Sequence, residues 1–175
     1  MTTGPLLVDL RAATSEFLAT LDDLTPAQWT WKPVPAIWSI QEVAEHTCVV
    51  QKGVERLFTT RLLDQPLTEE SPPRRWMDAD LANLFTAPRP VRAPEMVHPK
   101  GRWTTADQIA ATFTASVQKL SDWVGATKAD LRCYGSIHPL LGMLDGVQWL
   151  IFAPAHARHH GRQVRQLRGS GEFPG

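Results

Sequence analysis

The sequence predicts an all-α fold, a four-helix bundle, from three observations. Four segments repeat apolar residues at helical spacing. No run alternates convincingly enough to be a sheet strand. The 175 residues suffice for one domain with one sizeable core, so 1–175 reads as a single bundle domain.

The first helix is expected from about Pro5 to Leu24, with Leu7, Leu10, Phe17, Leu18 and Leu21 on one side. Pro5 suits a first turn, where its missing N–H costs nothing. The second runs from about Ser39 to Leu63 and carries Ile40, Val43, Val50, Val54, Leu57 and Phe58. The third, from about Thr105 to Val124, carries Ile109, Phe113, Val117, Leu120 and Trp123. The fourth runs from about Leu141 to Arg168, with Asp145 as an alternative start.

The connections are unequal. Leu24 to Trp38 contains Pro26, Pro33 and Pro35, and Thr25-Pro26 suits a short helical turn. Asp64 to Trp103 holds seven of the chain's 14 prolines and a candidate short helix from Asp78 to Phe85. A connection of that length suits a lid, a pocket wall or a crossover. Gly125 to Leu140 is shorter and reads as loop.

The composition excludes several function classes. A formal net charge of zero offers no field to attract nucleic acid or anionic lipid. The longest apolar candidate, Gly146 to Ala157, falls short of the roughly 20 residues that span a bilayer. Met1-Thr2-Thr3-Gly4-Pro5 lacks the basic start and apolar stretch of a signal peptide, so a cytoplasmic location is expected. Cys48 and Cys133 are too few for a disulfide framework, and Cys48 is expected to point away from the apolar arc. Most of the seven tryptophans are expected to fill the core.

Three histidines carry the candidate chemistry. Ser39 and Glu42 form a capping-box pattern that starts the second helix and so sets the direction of His46, at the edge of its apolar arc. His156 and His160 are four residues apart, one turn apart on one helix face. Ala153, Val164 and Leu167 share that arc, which turns the pair inward. Two such imidazoles reach one ion at about 2.0–2.1 Å, and a third from another helix leaves an open position, as in reactive metal sites. Residue 157 is Ala, where a metalloprotease needs its general-base Glu, so that mechanism is excluded. His159 is expected to point outward, and His98 and His138, each before a proline, to lie in loops. Pro154 suits either a tolerated kink or a bend that tilts the histidine pair.

Trp38-Ser39 with Glu42 and His46, then His156, His160 and Gln163, resemble the DinB/YfiT-like superfamily of metal-binding bundles. His138-Pro139-Leu140-Leu141-Gly142 and Glu172-Phe173-Pro174 also look like that family, and the resemblance spans essentially the whole chain. It implies an up-up-down-down bundle with the long crossover between the second and third helices. It implies a divalent metal, often zinc or nickel, held by His46, His156 and His160, frequently within a homodimer. Gln163 would orient a ligand ring or a bound water from behind. Some relatives use low-molecular-weight thiols such as mycothiol or bacillithiol.

The leading expectation is therefore a metal-dependent S-transferase or isomerase acting on a small molecule, with the metal lowering the pKa of a thiol. Arg158 and Arg162 are candidate anchors for substrate carboxylates, although solvated charge near a helix C-terminus is the simpler and preferred explanation. A hydrolase is the alternative, and it would need an acid such as Asp78, Asp80 or Glu95 from the long connection. A non-enzymatic metal-binding stress protein is the third.

Overall fold

The computed structural model describes residues 3–86 and 92–175. Residues 1–2 and 87–91, the latter inside the long second connection, lie outside the described residues. Four long helices dominate: α1 (Gly4–Leu18), α3 (Ile40–Thr60), α5 (Ala106–Ala126) and α6 (Gly146–Arg168). Two short ones, α2 (Pro26–Thr30) and α4 (Asp78–Ala82), lie in the connections.

Local chemistry sets where most of them begin. Ser39 accepts from the Glu42 N–H and Glu42 reaches back to the Ser39 N–H, so the capping box is formed at the start of α3. Thr25 with Gln28 does the same for α2, and Asp145 with Gln148 for α6. The first helix is shorter than its apolar pattern. It tightens into a 3-10 turn at Ala19–Leu21, and Asp23 then reverses the chain at φ 57°.

α1 packs against α6 and α5, and α3 against α5 and α6. Leu10, Phe17, Ile40, Phe58, Phe113, Leu120 and Leu150 are all at most 1 % exposed between them. Phe17 and Phe113 meet with ring centroids 5.5 Å apart. The tryptophans mostly ring this core instead of filling it. Trp29 and Trp149 are buried, and Trp31, Trp38, Trp76, Trp103 and Trp123 are partly exposed. The indole N–H explains the placement, because it seeks a carbonyl at the core's edge. Trp29 donates to Thr104 O at 2.9 Å, and Trp76 to Leu141 O at 2.9 Å.

Two further expectations are corrected. The third connection contains a β-hairpin, with β1 (Gly135–His138) paired antiparallel to β2 (Gly142–Asp145). Its three-residue turn is closed by Gly142 at φ 79°, a conformation that glycine adopts without strain. Gly135 is packed so closely that a Cβ there would lie 2.9 Å from Leu144 O. Cys48, expected to face outward, is fully buried, because α3 is covered by more than one neighbour. Burial pushes its thiol up to about 12, so it stays protonated and unreactive.

Asp145, at the β2–α6 junction, is the most enclosed acid of this region, with 0 % exposure. Arg74 and Arg132 both pair with its carboxylate, and Arg132 also pairs with Asp78. This network ties α4 and the hairpin to the start of α6, and so sets the register from which the α6 histidines project.

Candidate metal centre

α3 and α6 bring the three histidines together. His46, His156 and His160 are 4 %, 8 % and 7 % exposed. One nitrogen from each lies within 4.8 Å of the others. The His156 and His160 Nε2 atoms are 3.2 Å apart. Two nitrogens bound to one ion at tetrahedral angles stand about 3.3 Å apart. α6 continues as one helix through Pro154, so the pair keeps its one-turn spacing.

The far side of each ring decides which nitrogen is available. His46 Nδ1 lies 2.9 Å from Val97 O, which can only accept, so Nδ1 carries the proton. His160 Nδ1 lies 2.9 Å from Gln163 Oε1 and donates to it in the same way. A neutral imidazole has one ring proton, so the Nε2 atoms of His46 and His160 are lone-pair acceptors, and His160 Nε2 can take the His156 Nε2–H at 3.2 Å. Burial pushes the pKa of His46, His156 and His160 down. The mutual repulsion of the charged forms deepens the shift for His156 and His160. The rings are therefore neutral at physiological pH, the state in which imidazole binds metal. His156 would release its Nε2 proton to its Nδ1 on binding an ion, and the three Nε2 lone pairs could then converge on it. The cluster could thus hold a metal ion, and its residues fit one.

Aromatic rings wall the cluster. Trp38 stands 5.0 Å from the His46 ring, and Phe152 and Phe85 stand 5.3 Å and 5.9 Å from His156. His159, expected to point outward, is half-buried. Its ring stacks on Phe85 at 4.7 Å, because the second connection folds back over α6. His98 is also half-buried, set edge-on to Trp38 at 5.8 Å. Both candidate substrate arginines are engaged elsewhere. Arg158 pairs with Asp9 and Glu16 of α1, and Arg162 donates to Phe85 O at 2.7 Å.

Sequence reasoning missed Glu45, which is 1 % exposed beside His46. Its carboxylate accepts from the N–H groups of Lys100 (2.8 Å), Gly101 (2.8 Å) and Arg102 (3.2 Å), and from the Arg102 guanidinium (2.7 Å). Burial works to raise its pKa, and these donors together outweigh it and hold the carboxyl below its ordinary value. The strap so anchored contains Val97, the acceptor for His46. No local signal marks this residue, since its partners arrive more than 50 positions later. Glu45→Gln is expected to cost about 2 kcal/mol in urea unfolding, as charge-assisted bonds become neutral ones. Metal affinity should also fall about tenfold as Val97 loosens. Unchanged affinity would show that the strap does not orient His46.

A helical bundle that encloses three convergent neutral imidazoles is a helical protein whose donor set could hold a metal ion. The family model described as the DinB superfamily matches residues 9–164, and the chain belongs to that family. It is 21% identical over 148 residues to the uncharacterized protein YuaE of Bacillus subtilis (strain 168), covering 85% of this chain and 88% of YuaE. The crystal structure of TT2238, a four-helix bundle protein, superposes with a TM-score of 0.58 at 20% identity, covering 94% of this chain and 99% of that one. Among the described residues, no helix is long and apolar enough to cross a membrane.

Proposed function

We propose that His46, His156 and His160 hold one divalent ion, zinc or nickel, and that the protein uses a low-molecular-weight thiol in an S-transfer or isomerisation reaction on a small molecule. One observation carries the reading. Oxygen acceptors occupy the Nδ1 atoms of His46 and His160, so their Nε2 lone pairs point into the cluster. When bound, the ion would supply Lewis-acid activation of the thiol at neutral pH. Three uncharged ligands leave the ion's full charge for that task. Val97 and Gln163 keep two of the rings oriented, and Trp38, Phe85 and Phe152 exclude water. The up-up-down-down path is part of the proposal. It is supported by α1 and α3 each packing against both α5 and α6.

The hydrolase alternative is less well supported. Among the described residues the cluster includes no carboxylate. Asp78, one acid that reading would draw on, is paired with Arg132.

Cobalt-substituted protein tests the proposal. Mycothiol or bacillithiol added to it should produce a thiolate-to-metal charge-transfer band that saturates at one thiol per chain. A normal cobalt spectrum unmoved by either thiol would sink the thiol chemistry and leave the metal site standing.

A further inference from the structure

The hairpin tip carries a histidine that the proposed chemistry does not use. His138 ends β1. Its Nδ1 accepts from the backbone N–H of Leu140 at 3.1 Å and of Leu141 at 3.2 Å. A nitrogen that accepts two N–H groups presents its lone pair to them, so the ring proton sits on Nε2. The turn thus locks one tautomer. Among the described residues nothing accepts from that Nε2–H. The ring is half-buried, and its Nε2 is not among the sealed polar atoms that lack a partner, so the donor is open to a ligand.

Its position relates it to the histidine cluster. The His138 ring lies 4.7 Å from Phe152 and 5.2 Å from Trp149. The Phe152 ring lies 5.3 Å from His156. Trp149, Phe152, His156 and His160 follow one another at intervals of three and four residues, so they form one face of α6. His138 stands over the N-terminal end of that face, two ring contacts from the cluster.

We infer that His138 is a ligand-orienting donor, built to hold a neutral carbonyl oxygen on a substrate whose reacting end lies at the histidine cluster. The inference rests on the metal-site reading above. The choice of a neutral carbonyl follows from the surroundings. A single uncharged N–H among aromatic rings satisfies one acceptor oxygen. A carboxylate placed there would lose its hydration and gain no paired cation at the donor itself, since Arg158 is paired with Asp9 and Glu16 and the Arg162 guanidinium is turned to Phe85 O.

The experiment uses cobalt-substituted protein and matched synthetic thiols. One series carries a phenyl ketone with its carbonyl two, three or four carbons from sulfur. The other has a methylene in place of the carbonyl. Affinity is read from the thiolate-to-cobalt band. At least one ketone should bind about tenfold more tightly than its methylene partner, the worth of one hydrogen bond. Two variants separate the donor from the turn. His138→Asn places an amide oxygen where Nδ1 accepts and removes the distal donor, so the ketone preference should vanish. His138→Gln places an amide N–H near the lost Nε2–H, so the preference should largely return. Equal affinities in the wild type, or a preference that survives in His138→Asn, overturns the assignment. Failure of the metal reading is separately visible: it would give no cobalt spectrum before any thiol is added, and the inference would fall with it.

Discussion

His160→Ala should reduce bound metal from about one ion per chain to a small fraction of that, measured by elemental analysis of purified protein. Losing only the partner that orients a ligand lowers affinity about 10–100-fold, so losing the ligand should cost more than 100-fold. Two nitrogens, from His46 and His156, would remain, and Gln163 would lose the ring that it supports. Thermal unfolding gives an independent reading. A ligand that binds only the folded state at a thousand times its Kd stabilises by about 4 kcal/mol. Excess zinc should raise the wild-type midpoint by about 10 °C and leave the variant nearly unmoved. Metal-free wild type and variant should have the same far-ultraviolet circular dichroism, since His160 caps no helix. A variant that still holds one ion per chain would remove the three-histidine site, and with it the thiol proposal.

What could be foreseen from the sequence divides along a physical line. Features written in neighbouring residues were legible. The Ser39–Glu42 box needs only a three-residue spacing. The inward pairing of His156 and His160 needs only the helical repeat. The contact of Gln163 with His160 is likewise a one-turn relation. Features that depend on distant chain were not. The β-hairpin has strands of four residues, too short to show alternation. Its edge is pinned by Gln65 and Leu67, through Gly135 N to Gln65 O and Leu67 N to Cys133 O. Glu45 looks like an ordinary solvated helix acid until the 100–102 turn closes on it. His159 looks exposed until Phe85 returns across α6. Cys48 lies off the main apolar stripe, yet α3 is covered on more than that stripe. Periodicity reports the principal buried face of a helix and is silent about a second one.

The metal-free protein is expected to lose stability steadily as pH falls from about 6.5 toward 4.5, above the range in which the lowered carboxylates lose their contribution. Burial pushes His138 from its ordinary 6.5 down to about 4. It also lowers His46, His156 and His160, the last two well below 6.5. A histidine whose folded pKa lies below its unfolded one is protonated first in the unfolded chain. Between the two values each proton therefore favours unfolding, and above 6.5 the effect is absent. For His138 alone the full interval corresponds to about 3 kcal/mol, and the three cluster histidines add in the same direction. Glu45 and Asp78 have lowered carboxyl pKa values, so their contribution is lost only at more acid pH, below the ordinary 4.5 and 3.8. The window between pH 6.5 and 4.5 therefore belongs to the histidines. Thermal midpoints with a chelator at pH 7.5, 6.5, 5.5 and 4.5 should be flat over the first step and fall over the next two. His138→Asn should reduce the fall without abolishing it. Zinc should raise the midpoints most at pH 7.5 and progressively less in acid, because protons compete for the same nitrogens. Metal-free midpoints that stay level from 6.5 to 4.5 would mean that the rings take up protons in the folded protein as easily as in the unfolded one. Three charged imidazoles cannot share the small enclosed space described above, so that result would contradict the convergence of the cluster itself.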